Sequence, residues 1–167
     1  TLTGPVTIDA MSIGLRWVAL VMGIVLTLAA SRLADPELAS ELLGSLMLVV
    51  VGVMLTASAN ELVLLFLGLE LISIPTYVLL FLGRRDRASS EATMKYFFLS
   101  IFSSALLLYG LSMVYGLAGT TIIPGTEDIR GIRQILAGSP TEANPLLGLA
   151  PLAIVLVVAG LGFKLAI

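Results

Sequence analysis

The 167-residue sequence contains no cysteine and no histidine. Disulfide bonds, thiolate chemistry and imidazole ligands are therefore excluded for this chain, and we predict no metal site. Charged residues are also scarce, at 12% of the sequence, against about 25% in an average soluble domain. The net charge of −2 is too small to suggest a nucleic-acid partner. Proton exchange is therefore left to the other ionisable side chains and to water.

Long apolar runs make up most of the sequence, which is 58% hydrophobic. About 20 apolar residues in a helix cross a hydrocarbon core of about 30 Å, so the runs predict about five membrane spans. The predicted spans are about 12–31, 41–59, 61–82, 91–117 and 146–167, within a single transmembrane region that covers residues 1–167. The predicted fold class is therefore all-α, a polytopic bundle of transmembrane helices in a lipid bilayer.

The second and third spans must be separate helices, although only Asn60 and Glu61 interrupt their apolar sequence. Read as one helix, residues 41–82 would be about 60 Å long, which is twice the thickness of the hydrocarbon core. We therefore predict a turn near residues 58–60.

The third span carries a carboxylate at its centre. Nine residues from Glu61, at about 1.5 Å each, put Glu70 about 13 Å deep. A charge there costs about 2.5–3.5 kcal/mol on insertion scales, and such groups mark ion pathways by default. Ser73 and Tyr77 follow at helical spacing, so one face of this span is polar and should look into protein or water. The alternative is a structural carboxylate that is paired with a neighbouring helix.

Two lysines also lie in apolar runs. Lys95 is about one turn inside the fourth span, where it is a functional group, a snorkelling anchor or an i,i+4 partner of Glu91. Lys164 follows Gly160 and Gly162 near the end of the last apolar run. Its side chain could again be a snorkelling anchor that extends to the membrane surface. The alternative is a broken helix that lines a cavity, which glycines in such a run permit. A glutamate and a lysine in low dielectric form a workable proton relay, because their separation decides which protonation state is favoured.

The arginines predict the orientation in the membrane. The loop GRRDRASS, residues 83–90, contains three of them. Because loops on the cytoplasmic side carry an excess of Lys and Arg, we expect this loop to be cytoplasmic. We expect the host to be a bacterial plasma membrane, with a chloroplast or mitochondrial membrane as the alternatives.

The sequence resembles subunit N of the proton-pumping NADH:quinone oxidoreductase, respiratory complex I. The stretches that carry the resemblance are TASANELVLLFLGLELISIPTYVLLFL, SSEATMKYFFLSIFSSALLLYGLSMVYGLAGTT and the closing GLGFKLAI. The resemblance covers nearly all of residues 40–167, apart from the loop around 121–144. Since the sequence starts on Thr1 and stops inside an apolar run, we expect an incomplete chain of a longer subunit.

The resemblance implies an antiporter-like fold of inverted repeats, with a broken last helix. It implies a proton relay of Glu70, Lys95 and Lys164, in which the first two residues modulate the third. It also implies that the chain binds no redox cofactor, because FMN, iron–sulfur clusters and quinone belong to other subunits. M-type and K-type membrane subunits would be its neighbours.

The expected function is therefore proton translocation across the membrane, coupled to quinone reduction elsewhere in an enzyme complex. The related Mrp-type cation/proton antiporter subunits share the same general plan and give the alternative function. A third hypothesis is a purely structural membrane subunit in which Glu70 and Lys95 are merely paired.

Overall fold

The computed structural model describes residues 4–33, 37–83, 86–125, 130–137 and 145–166. They form helices α1 (Ala10–Leu33), α2 (Ala39–Ala57), α3 (Leu62–Gly83), α4 (Arg87–Ala118), α5 (Ile132–Leu136) and α6 (Ala150–Ala166), with a 3₁₀ turn at Pro145–Leu149 before α6. Within these ranges 5 helical segments are long and apolar enough to cross a membrane, and no β-strand is found. The prediction of an all-α transmembrane fold is confirmed.

The helix boundaries differ most from the predicted spans at the starts of α4 and α6. The turn between α2 and α3 falls at residues 58–61, close to its predicted place. Helix α4 begins at Arg87 rather than near Glu91, because the Asp86 carboxylate accepts a hydrogen bond of 2.6 Å from the backbone N–H of Ser89 and caps the first turn. The second half of the predicted GRRDRASS loop is therefore helical. Three residues of the predicted loop and spans lie outside the described ranges: Arg84, Arg85 and Ile167.

The chain divides into two compact units. The first lies within residues 1–59 and 64–97, and the second within residues 60–63 and 98–167. In the first unit α1 starts with a reciprocal cap: the N–H of Ser12 donates to Asp9 Oδ1 at 2.7 Å, and the N–H of Asp9 donates to Ser12 Oγ at 3.1 Å. The bond from the Ser12 backbone holds the pKa of Asp9 below its usual value.

Glycines bring α2 and α3 close together in the first unit. A Cβ atom at Gly52 of α2 would lie 2.9 Å from the backbone nitrogen of Ile72 in α3. A Cβ atom at Gly68 of α3 would likewise clash with the backbone and the hydroxyl of Thr56 in α2. Since neither glycine has a side chain, the two helices pack with their backbones nearly in contact, which is typical of membrane helix pairs.

Helix α3 contains a buried proline, and the hydroxyl groups beside it bond to backbone carbonyls of the same helix. Pro75 has no N–H to donate within the helix. On either side of it, the hydroxyls of Ser73 and Thr76 donate to the carbonyls of Leu69 and Ile72 at 2.9 and 2.7 Å. Such bonds satisfy polar groups where a bilayer offers no water.

In the second unit, the segment after α4 pairs with the residues that begin α3. The backbone N–H of Leu62 donates to the Thr121 carbonyl at 2.9 Å, and that of Ile123 donates to the Asn60 carbonyl at 3.0 Å. The hydroxyl of Thr121 also donates to the Glu61 carboxylate at 3.2 Å. These bonds fix the position of the segment that follows α4 against the start of α3.

Helix α6 packs against α4 in the second unit. Leu107 of α4 and Ala153 of α6 are buried, at 1% and 0% exposure. The rings of Phe102 and Phe163 meet edge-on with centroids 6.3 Å apart. Helix α6 runs without interruption from Ala150 to Ala166, so the break expected at the two glycines of this helix does not lie there.

Candidate functional site: charged residues in apolar helices

Glu70 lies in the third turn of α3 with its side chain half-buried. Ser73, one turn further on, is only 7% exposed, and Tyr77, a second turn on, is half-buried. The polar face of α3 therefore looks towards protein, in agreement with its predicted environment. A carboxylate in such a place lies within an apolar helix, so its charge is more costly than at a surface.

An aromatic cluster joins α3 to α4 next to this face. The ring of Tyr77 packs edge-on against the rings of Tyr96 and Phe97, with centroid distances of 5.6 and 5.3 Å. Pairs of this geometry contribute about 0.5–1.5 kcal/mol each beyond their buried area. Helical spacing from Glu70 predicted Tyr77 on this face but not its two aromatic partners, because aromatic spacing along α4 does not say which face of α4 meets α3.

Lys95 lies in α4 and is paired along its own helix. Its Nζ atom is 2.6 Å from Glu91 Oε1, and the two side chains are 70% and 65% exposed. The structure thus shows the i,i+4 partner that spacing allowed, with the glutamate N-terminal to the lysine as the helix dipole favours. Such an exposed pair contributes only about 0.3–0.5 kcal/mol, so the ion pair by itself does not explain a lysine in a membrane span.

Lys164 lies near the end of α6 with its side chain half-buried. Its Nζ atom donates a hydrogen bond of 3.1 Å to Ser104 Oγ of α4. The span begins at the predicted place, but residues 145–149 form the 3₁₀ turn and the α-helix proper begins at Ala150. The contact with Ser104 was not predicted, because nothing in the sequence relates two residues that are 60 positions apart.

The structure gives the two candidate lysines different partners, Glu91 for Lys95 and Ser104 for Lys164. Glu70 and Lys95 lie in the first unit, on α3 and α4, and Lys164 lies in the second unit on α6. Each lysine donates to an oxygen of a side chain, so each ammonium is stabilised where it stands. Carboxylates and amines in apolar helices can gain and lose protons without any metal or cofactor. Among the described residues, no group of three or more carboxylates could hold a metal ion.

Comparison with known proteins gives the family. The model of the family described as NADH:quinone oxidoreductase/Mrp antiporter, transmembrane, matches residues 59–167, which contain all three candidate residues. The chain is 38% identical over 161 residues to NADH-quinone oxidoreductase subunit N of Heliobacterium modesticaldum, an alignment that covers 95% of this chain and 31% of that protein. It is 37% identical over 162 residues to F(420)H(2) dehydrogenase subunit N of Methanosarcina mazei, with 96% and 31% covered.

A solved structure shows the same fold. One chain of respiratory complex I from Thermus thermophilus with bound aureothin matches with a TM-score of 0.69 and 28% identity, over 97% of this chain and 32% of that chain. The chain thus spans about a third of the length of the relatives it matches. Since the family model covers more than half of the sequence, the chain is an integral membrane protein that belongs to the NADH:quinone oxidoreductase/Mrp antiporter transmembrane family.

Proposed function

We propose that this chain is part of the antiporter-like N subunit of a NADH:quinone oxidoreductase, respiratory complex I. In this proposal it translocates protons across the membrane through Glu70, Lys95 and Lys164. The observation that carries the proposal is the half-buried carboxylate of Glu70 in the middle of an apolar span, in a chain of this family. Intramembrane ionisable groups are costly, and they mark ion paths by default.

The chemistry of the relay is exchange between a carboxylate and two amines. Two unit charges 4 Å apart interact with about 4 kcal/mol at an effective dielectric constant of 20, which illustrates how strongly such groups feel one another's charge. When Glu70 is ionised it favours a protonated lysine nearby, and when it is neutral that preference is lost. A change in the charge of Glu70 and Lys95, or in the distance between them, then causes Lys164 to bind or release a proton. This series of proton-transfer steps moves protons across the membrane without electron transfer in this chain.

The remainder of the enzyme supplies the redox chemistry. We propose that FMN, iron–sulfur clusters and quinone are bound by other subunits, and that M-type and K-type membrane subunits are the neighbours of this one. The relatives include a subunit N of an F(420)H(2) dehydrogenase, so reduced F420 is the alternative electron donor to NADH. We propose a bacterial plasma membrane as the host, with residues 83–90 on the cytoplasmic side.

A second candidate function is that of an Mrp-type cation/proton antiporter subunit. The description of the matching family names both classes. Both need proton-exchanging residues within the membrane, but an antiporter is driven by an ion gradient and not by electron transfer. The named relatives quoted above are oxidoreductase or dehydrogenase subunits, which favours the first function.

Affinity capture separates the two functions. We expect the tagged full-length subunit, captured from native membranes in mild detergent, to bring with it an assembly that reduces quinone when NADH or reduced F420 is supplied. Capture of an assembly that exchanges cations for protons in vesicles, without quinone reductase activity, would establish the antiporter instead. An unrelated tagged membrane protein from the same membranes serves as the control.

Lys95 can be tested against its ion-pair partner. We expect Lys95→Ala to lower redox-driven proton pumping several-fold, which is less than the hundredfold or more of a positioned proton-transferring group, because in this proposal Lys95 modulates Lys164. Glu91→Gln removes the same exposed ion pair but leaves the amine, so its pumping should stay near that of the wild type. Both variants are measured in sealed vesicles with a blot for assembly. Equal losses in the two variants would show that Lys95 acts only through its pair with Glu91.

A further inference from the structure

Two consecutive serines of α4 contact α6 at the turn that carries Lys164. The hydroxyl of Ser103 donates to the carbonyl of Gly160 at 2.7 Å, and the Nζ atom of Lys164 donates to the hydroxyl oxygen of Ser104 at 3.1 Å. Ser103 is 0% exposed. The four residues all lie in the second unit, and both bonds join helices that are far apart in sequence.

The carbonyl of Gly160 has a second role. In an α-helix the backbone N–H of residue i donates to the carbonyl of residue i−4, so this carbonyl is also the acceptor for the N–H of Lys164. Helix α6 is regular across both residues. Helix α4 therefore holds Lys164 in two ways, through the carbonyl one turn before it and through its ammonium group.

The distance between the two helices leaves little freedom for this arrangement. A Cβ atom at Gly160 would lie 2.6 Å from the backbone nitrogen of Leu107 in α4. A Cβ atom at Gly110 would lie 2.7 Å from the backbone nitrogen of Val157 in α6. The backbones are thus in contact at two places along the pair, and the packed interface sets how far the side chain of Lys164 must reach.

A hydroxyl suits a group that gains and loses a proton. A serine oxygen accepts a hydrogen bond from an ammonium, and the same hydroxyl can rotate to donate to a neutral amine. A carboxylate in this position would favour only the charged lysine, and an apolar side chain would favour only the neutral one. Ser104 can therefore hold the nitrogen of Lys164 in both protonation states.

We propose that Ser104 is a positioning residue for Lys164, and that Ser103 fixes the helical turn on which Lys164 stands. Ser103 and Ser104 together keep the Nζ atom of Lys164 at one place beside α4 while the charge of the lysine changes. Each proton is then bound and released at the same point. This inference rests on the proposed function of Lys164 as a proton-exchanging residue.

Three variants in the intact complex test the proposal. We expect Ser104→Ala to assemble normally and to lower redox-driven pumping by about two- to tenfold, the factor that corresponds to one net hydrogen bond. Ser104→Thr keeps the hydroxyl and should stay within about twofold of the wild type. Ser112→Ala is the matched control, because Ser112 lies on α4, is exposed and donates to the carbonyl of Leu108 on its own helix.

A double variant separates positioning from general packing. If Ser104 acts through Lys164, adding Ser104→Ala to Lys164→Ala produces no further loss of pumping. Independent, multiplying losses would overturn the proposal, and so would an equal loss in Ser104→Thr and Ser104→Ala. If Ser104→Ala does not assemble, Ser104→Cys replaces it, because cysteine preserves the volume of serine but is a much weaker hydrogen-bond acceptor. Pumping in Ser104→Cys is then compared with pumping in Ser104→Thr, and equal losses would again overturn the proposal.

The outcome for Lys164→Ala alone distinguishes this inference from the function on which it rests. Depressed pumping in Lys164→Ala with normal pumping in Ser104→Ala would reject the role of Ser104 and leave the proposed function intact. Normal pumping in Lys164→Ala would reject both.

Discussion

The variant Glu70→Gln is expected to assemble with its partner subunits and to pump protons at least about tenfold more slowly than the wild type, since a positioned proton-transferring group typically contributes a hundredfold or more. Quinone reduction should fall with it, because the two processes are coupled in the proposed function. The measurement is proton uptake and quinone reduction in the same sealed vesicles.

The physical reason for this result is that glutamine keeps the shape and hydrogen-bonding ability of glutamate but does not exchange protons. Glu70 is half-buried on a helix face whose next polar residue, Ser73, is buried. Removing a charge from the middle of a span also removes an insertion cost of about 2.5–3.5 kcal/mol. Assembly should therefore survive the substitution even though pumping does not.

The matched control is Glu41→Gln, which removes an exposed carboxylate in the first turn of α2. It should assemble and pump normally. Loss of assembly in Glu70→Gln but not in Glu41→Gln would favour the third hypothesis, a purely structural membrane subunit in which Glu70 and Lys95 are merely paired. Normal pumping in assembled Glu70→Gln would exclude Glu70 from the relay.

The second large effect is expected at Lys164. Lys164 is half-buried and its ammonium donates to Ser104 across a helix interface. Lys164→Ala therefore removes the exchanging group and leaves the Gly160 contact in place. We expect normal assembly, with pumping and quinone reduction lowered at least about tenfold. Arg133→Ala, an exposed cation on α5, is the control. Normal pumping in Lys164→Ala would mean that Lys164 is only a snorkelling anchor at the membrane surface.

Much of the fold could be predicted from hydrophobic length alone. The two apolar runs on either side of residues 58–61 would make a helix twice too long for a bilayer, so a turn had to separate them, and it does. The start of α4 was placed too late, because the charged residues before Glu91 suggest a loop. In the structure Asp86 caps this segment, and the helix extends to Arg87.

The candidate site was predictable where it depends on a single helix and not where it depends on two. Helical spacing gave the polar face of Glu70, Ser73 and Tyr77, and the partner of Lys95 at i−4. The contact between Lys164 and Ser104 depends on how α4 and α6 face one another, and no local pattern encodes that. Gly160 was interpreted as a possible break, whereas in the structure it allows a close approach to Leu107.

In the proposed relay Lys164 gains and loses a proton, and the variant Lys164→Arg, measured beside Lys164→Ala, tests this most directly. Arginine keeps the positive charge but is not deprotonated in proteins. Pumping and quinone reduction are measured in sealed vesicles of assembled complex. If Lys164 exchanges protons, the arginine variant pumps as poorly as the alanine variant. Pumping restored to the wild-type level by arginine would show that only a fixed charge is needed at this position, and would contradict the relay.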